Sequence, residues 1–264
     1  MKTLDAWLAE RKPYVSLVYA KQLGRWVEEW KANGLAEAGA EKVEAYFQEK
    51  RKEGKSASAL RQELVYLKQV LRERGSQAAD KVRIRGRGVE QEYATLGRQE
   101  EQALKGSGAP EWLKDFVVIA CRTGLREGTI RAITGSMLDR KGKRLVLPGR
   151  VMKQRKCLTV PVTDEVFEVI ARRAPEGTDR PLFEEMPAAP GVWKEFKRWG
   201  KRLGWPEALK PHDLRRTFVA RLTEAGAQSH LIMALGGWRS MSTILTHYAS
   251  QAPEGAARAV LEKI

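Results

Sequence analysis

Apolar residues recur every three to four positions through most of the first 75 residues, and this spacing restricts the fold more than any other feature. The clearest segment runs from Ser56 to Arg74, where charged residues separate Leu60, Leu64, Leu67 and Leu71. Residues at this spacing share one face of an α-helix. Such a face is stable only when another element covers it, so the spacing predicts packed helices at the start of the chain.

Two earlier segments show the same pattern. The first has an apolar stripe that ends at Asn33-Gly34, and its members are Tyr19, Leu23, Trp26, Val27 and Trp30. The second has a stripe that ends near Gly54, and its members are Val43, Tyr46 and Phe47. Because 264 residues are enough for two domains, we expect residues 1–80 to form a small helical domain of their own.

The charge of the chain favours a polyanionic partner. There are 48 Lys and Arg residues against 33 Asp and Glu residues, which gives a formal net charge of +15. Basic residues occur throughout, and no apolar stretch approaches the roughly 20 residues of a membrane-spanning helix. We therefore expect nucleic acid rather than a membrane surface as the partner. The first residues show no secretory signal pattern, so we expect the protein to stay where it is made.

The cysteines and histidines argue against metal chemistry. Cys121 and Cys157 are too few for a disulfide framework, so both are expected to be reduced. His212, His230 and His247 match no zinc-binding spacing. We expect neither a metal nor a cofactor.

A basic strip follows the predicted helical domain. Every second residue from Lys81 to Arg87 is basic, and we assign residues 81–89 as a linker. Two interpretations remain open: a solvated edge strand, or a strap in which Arg83, Arg85 and Arg87 contact DNA phosphates. The position of the strip between two domains favours the strap.

From about residue 90 the pattern becomes mixed. Pro110 and Gly124 bound an apolar helix, with the proline expected in its first turn. Two runs typical of strands, Arg144 to Leu147 and Cys157 to Val160, lie on either side of a basic loop. The predicted fold class is mainly α, with a small antiparallel β-sheet in this second domain.

The last third of the chain is predicted to be helical. Thr163 is expected to be the N-cap of a helix that carries Asp164 and Glu165 in its first turn. Further helices, interrupted by glycines, are predicted from Pro190 to about His247.

The most informative segment is His212-Asp213-Leu214-Arg215. Asp213 is a plausible N-cap, which places His212 and Arg215 together at a helix N-terminus, where free amides favour an anion. This arrangement is typical of a phosphate site. Taken alone, however, a capping histidine and a solvated arginine are the more common explanation. The same holds for Arg126 after Thr123-Gly124-Leu125, for Lys153 in the basic loop, and for Trp238 and Tyr248 as ordinary aromatic residues.

Taken together and in this order, the segments resemble the catalytic domain of the tyrosine recombinase, or phage integrase, family over residues 90 to 248. The TGLR box of the family matches Thr123 to Arg126, and its HxLR box matches His212, Leu214 and Arg215. Its hairpin lysine, which precedes a Val-Pro pair, falls on Lys153. Its histidine or tryptophan after a Leu-Gly pair falls on Trp238, and its nucleophile falls on Tyr248.

The resemblance implies a site-specific DNA recombinase with a 3′-phosphotyrosyl intermediate at Tyr248. Arg126 and Arg215 would clamp the scissile phosphate, and Lys153 would protonate the departing 5′ hydroxyl. His212 would assist proton removal from Tyr248 or hydrogen-bond the phosphate, while Trp238 packs against the site. Residues 90–264 would then be the catalytic domain and 1–80 a core-DNA-binding domain, with Arg155 and Lys156 of the loop as further DNA contacts.

The implied partners are double-stranded DNA with recombination sites and other copies of the chain. The family's usual assembly is four protomers on two DNA sites, with a monomer or dimer expected when DNA is absent. Accessory DNA-bending or excision factors and a prokaryotic cytoplasm or nucleoid are expected as well.

Two departures from the family pattern leave alternatives open. Thr129 stands where family members usually carry an acid, and the extra Gly237 before Trp238 makes His247 a competing candidate for that position. One alternative function is DNA relaxation of the type IB topoisomerase kind. The other is a non-catalytic DNA-binding protein on a decayed integrase fold, which Thr129 and Gly237 would favour.

Overall fold

The structure is a computed structural model that describes residues 3–15, 17–85, 94–153, 155–238, 240, 242 and 244. Its backbone divides into two compact units, Met1–Gln91 and Glu92–Ile264. Each unit has its own apolar core, so each is described separately.

The first unit is helical over the residues that the structure describes. Its α-helices are α1 (Leu4–Arg11), α2 (Leu17–Ala32), α3 (Ala40–Lys52) and α4 (Ala57–Glu73). The predicted leucine stripe lies on α4, and all four leucines are buried in the core. The Ser56 hydroxyl caps this helix by accepting a hydrogen bond from the Ala59 amide. The three helices predicted from apolar spacing are therefore confirmed.

A polar group lies inside this helical core. Glu63 of α4 is buried and accepts hydrogen bonds from Trp30 Nε1 at 3.0 Å and from the Tyr46 hydroxyl at 2.7 Å. Burial disfavours the charged carboxylate and raises the pKa of Glu63, although both hydrogen bonds oppose the shift. The bonds join α2, α3 and α4, because each helix supplies one of the three side chains.

The second unit contains the remaining helices of the described chain. They are α5 (Arg98–Gly106), α6 (Glu111–Thr123), α7 (Glu127–Arg131), α8 (Asp164–Arg173), α9 (Ala189–Arg202), α10 (Leu214–Glu224) and α11 (Ser229–Gly236). The most buried of these is α6, which packs against α8 and α10. Pro110 precedes α6 as its N-cap, so the expectation that it lies in the first turn is wrong by one position.

A small antiparallel sheet packs against these helices. Its strands are β1 (Leu138–Asp139), β2 (Arg144–Leu147) and β3 (Leu158–Pro161), in the order β1-β2-β3. Leu145 pairs with Val160, and both side chains are buried. The second predicted strand therefore begins one residue later than expected, because Cys157 lies outside the ladder and is exposed.

Helix α8 begins and is anchored as its sequence indicates. Thr163 is its N-cap, and the hydroxyl accepts a hydrogen bond from the Val166 amide. At the other end, Arg172 and Arg173 donate to the buried carboxylate of Asp115 on α6, at 2.8 and 2.6 Å. These charge-assisted bonds hold α8 against α6.

The predicted fold class, mainly α with a small antiparallel sheet, is confirmed. Among the residues that the structure describes, no helix has the length and apolar character required to cross a membrane.

Candidate active site

Arg215 lies where three of the sequence motifs meet. It occupies the first turn of α10, and only 3% of its surface is exposed. Its Nη1 donates to the Gly124 carbonyl at the end of α6, and its Nη2 donates to the Gly236 carbonyl at the end of α11, at 2.8 Å. Its guanidinium carbon is 3.5 Å from the centroid of the Trp238 ring. One side chain thus joins the TGLR, HxLR and Leu-Gly segments, which are far apart in the sequence.

The glycines around Arg215 allow the helix ends to approach it. Gly124 has a φ of 62°, and a Cβ placed there would lie 2.3 Å from Cδ1 of Phe218 on α10. Both the left-handed backbone and the close contact therefore require glycine. Gly237 ends α11 with a φ of 63°. The extra glycine before Trp238 thus has a structural role as a helix cap.

Arg126 follows directly, as the N-cap of α7 and two residues beyond Gly124. Its side chain is half-buried. Over the described part of the chain, no carboxylate forms an ion pair with Arg126 or with Lys153. Among these described residues, therefore, no carboxylate neutralises their positive charges, which suits the binding of an anion.

Lys153 lies in the loop between β2 and β3. Its side chain is exposed, whereas the preceding Met152 is buried and Arg155 adopts a left-handed φ of 56°. A Cβ built on Gly237 would lie 3.1 Å from Leu158 Cδ2 and 3.7 Å from Met152 Cε. The loop that carries Lys153 thus packs beside the segment that carries Trp238.

His212 lies in a 3₁₀ turn, Pro211–Asp213, immediately before α10. Partial loss of hydration lowers the pKa of His212, and the positive charges of Arg215, Arg216 and Arg126 lower it further. The Asp213 carboxylate opposes this shift. Although the residue keeps an exposed surface, its pKa is influenced by both motif arginines, so the site has a positive potential.

Asp213 precedes α10 as expected, but its side chain does not cap that helix. Its carboxylate instead accepts hydrogen bonds from the Lys210 amide at 2.9 Å and from Arg216 Nη1 at 2.6 Å. The backbone of Asp213 is already helical, with φ −76° and ψ −12°, so the carboxylate turns back to the 3₁₀ turn. Asp213 therefore fixes the turn that carries His212.

Trp238 is buried in a small apolar cluster with Phe218, Val219, Ile232 and Ile244. It supplies the flat surface against which Arg215 stacks. Tyr248 and His247 lie outside the residues that the structure describes. The choice between Trp238 and His247 for the second histidine position therefore remains a prediction.

Two groups that hold the site together were missed by the sequence analysis. Glu101 of α5 is buried and binds Arg122 of α6 and Arg221 of α10, with the closest contact to Arg221 at 2.5 Å. Burial disfavours its charge, but the hydrogen bonds from both arginines outweigh burial and lower the pKa of Glu101. The second is the Thr129 hydroxyl, which donates to the Val151 carbonyl at 3.3 Å. The sequence signalled Thr129 only as a departure from the family pattern, and Glu101 carried no signal.

The described part of the basic strip, residues 81–85, lies on the surface of the first unit. Residues 82–85 form no strand, so the edge-strand interpretation is wrong for the part of the strip that the structure describes. Val82 is buried in the core, while Arg83 and Arg85 are exposed. Arg51 and Arg61 donate to the carbonyls of Arg85 and Ile84, which holds the backbone of the strip on α3 and α4. Arg87 lies outside the described residues. Arg155 and Lys156, the other DNA-contact candidates, are exposed on the β2–β3 loop.

A separate groove of about 540 Å³ lies along α9, and Trp193, Phe196 and Trp205 line it together with lysines. None of the motif residues lines this groove, so we do not assign it to the active site. Within the described ranges, no three His, Cys, Asp or Glu residues cluster as a metal site.

Comparison with known proteins relates the second unit to one family. Residues 90–254 match the model of the phage integrase family. The chain is similar to the tyrosine recombinase XerD of Lacticaseibacillus casei, with 27% identity over 177 residues, which is 60% of this chain and 59% of the relative. It is also similar to the integrase of Salmonella phage P22, with 25% identity over 167 residues, 54% of this chain and 40% of the relative. The chain thus spans less than two thirds of the length of either relative.

Solved structures share the fold over both units. The Tn1549 transposon integrase in complex with transposon right end DNA has a TM-score of 0.76 at 18% identity, covering 100% of this chain and 99% of that chain. A lambda integrase dimer bound to a COC′ core site has a TM-score of 0.67 at 17% identity, covering 91% of this chain and 95% of that chain. At these identities the likeness concerns the fold.

Proposed function

We propose, from the premise that this chain belongs to the phage integrase family, that it is a site-specific DNA recombinase whose nucleophile is Tyr248. It cleaves a DNA strand, holds the 3′ end as a phosphotyrosyl ester, and rejoins it to a new 5′ hydroxyl. We place its role in the integration or excision of a phage or other mobile element.

One observation carries this proposal: Arg215 binds the carbonyls of Gly124 and Gly236 and stacks on Trp238. An arginine on the surface is hydrated by water and does not require two carbonyls at helix ends and an aromatic ring as partners. Burying a guanidinium is costly unless several partners fix it, and such fixed positive charge is characteristic of functional sites. Gly124, whose carbonyl binds Arg215, lies two positions before Arg126 in the sequence, which supports a role for both arginines in one site.

In this proposal the two arginines bind the non-bridging oxygens of the scissile phosphate. A guanidinium presents its N–H donors in a planar fork that matches phosphate, which a lysine cannot do. The positive potential that lowers the pKa of His212 also stabilises the extra negative charge of the pentacoordinate transition state. No metal or cofactor is required for this step.

The proton transfers follow from the remaining groups. Oη of Tyr248 forms a bond to phosphorus while the bond from phosphorus to the 5′ oxygen breaks. The phenol has a pKa near 10, so attack at neutral pH needs a proton acceptor and nearby positive charge. Neutral His212 accepts the phenolic proton, and Lys153 gives a proton to the departing 5′ oxygen. Rejoining reverses both proton transfers. Because the phosphotyrosyl ester retains the energy of the broken phosphodiester, the strand is resealed without ATP.

The partner is double-stranded DNA. The chain has a net charge of +15. Cations for the phosphates are supplied by the exposed Arg83 and Arg85 and by the loop residues Arg155 and Lys156. We propose that residues 1–80 bind the core site, that residues 81–89 cross the backbone, and that residues 90–264 perform catalysis. Lambda integrase is known as a dimer on a core site and as a tetramer on a Holliday junction. We propose a tetramer on two sites, with a monomer or dimer free of DNA, in a prokaryotic cell with accessory DNA-bending or excision factors.

The covalent intermediate provides the test. Purified protein is incubated with sheared DNA from its source that carries random nicks, and SDS-resistant protein–DNA adducts are recovered and sequenced. When a nick lies near the cleavage point, cleavage releases a short strand that diffuses away. Rejoining then cannot occur, and the phosphotyrosyl ester is trapped. We expect a recurrent sequence at the attachment point and no adduct from Tyr248→Phe.

The outcomes separate the rival functions. Sequence-specific binding without any adduct would favour a non-catalytic protein on a decayed integrase fold. If adducts form, a plasmid with two copies of the recovered site should yield recombinant circles. Relaxed circles without recombinants would favour a topoisomerase of type IB.

A further inference from the structure

Thr129 connects α7, whose N-cap is Arg126, to the loop that carries Lys153. It lies on α7, three residues after Arg126, and only 4% of its surface is exposed. Its hydroxyl donates a hydrogen bond to the carbonyl of Val151, two residues before Lys153, with an oxygen–oxygen distance of 3.3 Å. The bond spans 22 positions of sequence.

The other hydrogen bonds described for this loop are local. The amides of Val151 and Met152 donate to the carbonyls of Pro148 and Gly149, and the Arg155 amide donates to the Met152 carbonyl. For residues 149–153 and 155–157, the bond from Thr129 is thus the one hydrogen bond to another element that the structure describes. Met152 adds an apolar anchor, because its side chain is buried. The Thr129 hydroxyl therefore fixes the loop relative to Arg126 together with the buried Met152 side chain.

This bond requires a hydrogen-bond donor, which the threonine hydroxyl supplies. Val151 offers a carbonyl, so the partner must donate a hydrogen atom. An ionised carboxylate only accepts hydrogen bonds, so the acid that the family usually carries at this position could not make this contact. Threonine at this position therefore holds the loop through a contact that the usual acid could not make.

We infer that Thr129 is a positioning residue for Lys153, a role that rests on the proposed recombinase function. Lys153 has an exposed side chain and no described ion pair, so its ammonium is located mainly by the backbone of its loop. A displacement of about 1 Å at a reacting group can slow catalysis by about 100-fold. Through the Val151 carbonyl, Thr129 keeps the Lys153 ammonium within reach of the 5′ oxygen.

The test compares oxygen and sulfur leaving groups. In the natural step, Tyr248 Oη bonds to phosphorus, the bond to the 5′ oxygen breaks, and Lys153 supplies the proton. When sulfur replaces the bridging 5′ oxygen, the phosphorus–sulfur bond breaks and the thiolate leaves with the electron pair. Because thiols have a pKa of about 8.5, this step needs no proton donor. The substrates are two nicked duplexes with the sequence recovered from trapped adducts, identical except for this one atom.

Thr129→Val is the informative variant, because it keeps the shape of the side chain and removes the hydroxyl. We expect it to form the adduct about 10- to 100-fold more slowly than wild type with the oxygen substrate. With the sulfur substrate it should reach within about threefold of wild type, since general-acid catalysis no longer matters. Lys153→Ala should show the same pattern with a larger oxygen defect. Thr129→Ser, which retains the hydroxyl, should resemble wild type with both substrates.

A second measurement needs no DNA. Amide hydrogen exchange reports local opening, and Thr129→Val should accelerate exchange at residues 151–157 while α6 and α8 stay protected. Thr223→Val is the matched control, because the Thr223 hydroxyl also donates to a carbonyl, that of Val219 at 3.0 Å, but within α10. The control should leave both the loop exchange and the ratio of oxygen to sulfur rates unchanged.

The results that overturn the inference differ from those that overturn the proposed function. If Thr129→Val slows both substrates equally, or neither, and the loop amides exchange as in wild type, Thr129 does not act through Lys153. If wild-type protein yields no trapped adduct from which a substrate sequence can be recovered, the recombinase proposal itself fails.

Discussion

The guanidinium carbon of Arg215 lies 3.5 Å from the centroid of the Trp238 indole. Trp238 therefore fixes the plane of the guanidinium, while the carbonyls of Gly124 and Gly236 fix its position within that plane. A cation over an indole face is favourable by about 2 kcal/mol when both are desolvated. The contact gives Trp238 a structural role beside Arg215, whichever of Trp238 and His247 fills the second histidine position of the family.

Replacing Trp238 with alanine should impair both stability and catalysis. The buried indole would leave a cavity, which typically costs about 3 to 5 kcal/mol of the free energy of unfolding. Urea denaturation measures this loss. Trp238→Phe keeps an aromatic face and should lose less stability, and its adduct should form faster than that of Trp238→Ala. Equal adduct rates for the two variants would contradict the role of the stack.

Gly124→Ala should destabilise the second unit by about 2 to 4 kcal/mol, because the alanine would be left-handed and its Cβ would collide with Phe218. Thermal denaturation measures the change. Gly128→Ala is the control, since no heavy atom lies within 4 Å of its added Cβ. Because Gly128 is an exposed helical position, its replacement by alanine should raise the free energy of unfolding by up to about 1 kcal/mol. A harmless Gly124→Ala would contradict the close packing of α6 on α10.

His212 should titrate below the ordinary histidine pKa of 6.5 in the free protein. The unfolded chain then binds more protons than the folded chain between these two pKa values, so stability from this group rises as pH rises through that window. NMR titration of the imidazole measures the pKa directly. Bound phosphodiester would offset the neighbouring arginines, so DNA should raise the pKa. A pKa above 6.5 without DNA would contradict the positive potential of the site.

The basic strip should contribute phosphate contacts. Replacing Arg83 and Arg85 together with glutamine should reduce the dependence of DNA affinity on salt, lowering the log–log slope by about 2. Fluorescence anisotropy over a range of salt concentrations measures this slope. The Arg83→Lys, Arg85→Lys double variant keeps both charges and should retain it. A slope that glutamine leaves unchanged would exclude the strip from the DNA contacts.

Local patterns in the sequence were sufficient to predict much of the fold. The stripe on α4 and the Thr163 cap of α8 depend on residues within a few positions of one another, so spacing alone reveals them. The strand β1 was missed because it is two residues long and forms only through its pairing with β2. The strip at 82–85 alternates like a strand, but its alternation comes from lying over α3 and α4.

The sequence indicated the motifs of the candidate site, but it did not indicate the contacts that support them. Nothing near Arg215 in sequence indicates that it binds the carbonyl of Gly124, which is 91 positions away. Asp213 was expected to cap α10, yet its carboxylate bonds to Lys210, because the preceding turn is 3₁₀. Such contacts depend on where separate elements meet in three dimensions.

The most direct test of the account is to identify the atom that holds DNA. An adduct trapped on a nicked duplex is digested with nuclease and protease, and the modified peptide is sequenced by tandem mass spectrometry. We predict a nucleotide linked through its 3′ phosphate to the hydroxyl of Tyr248. A phosphoester on any other residue, or a link through a 5′ phosphate, would contradict the account.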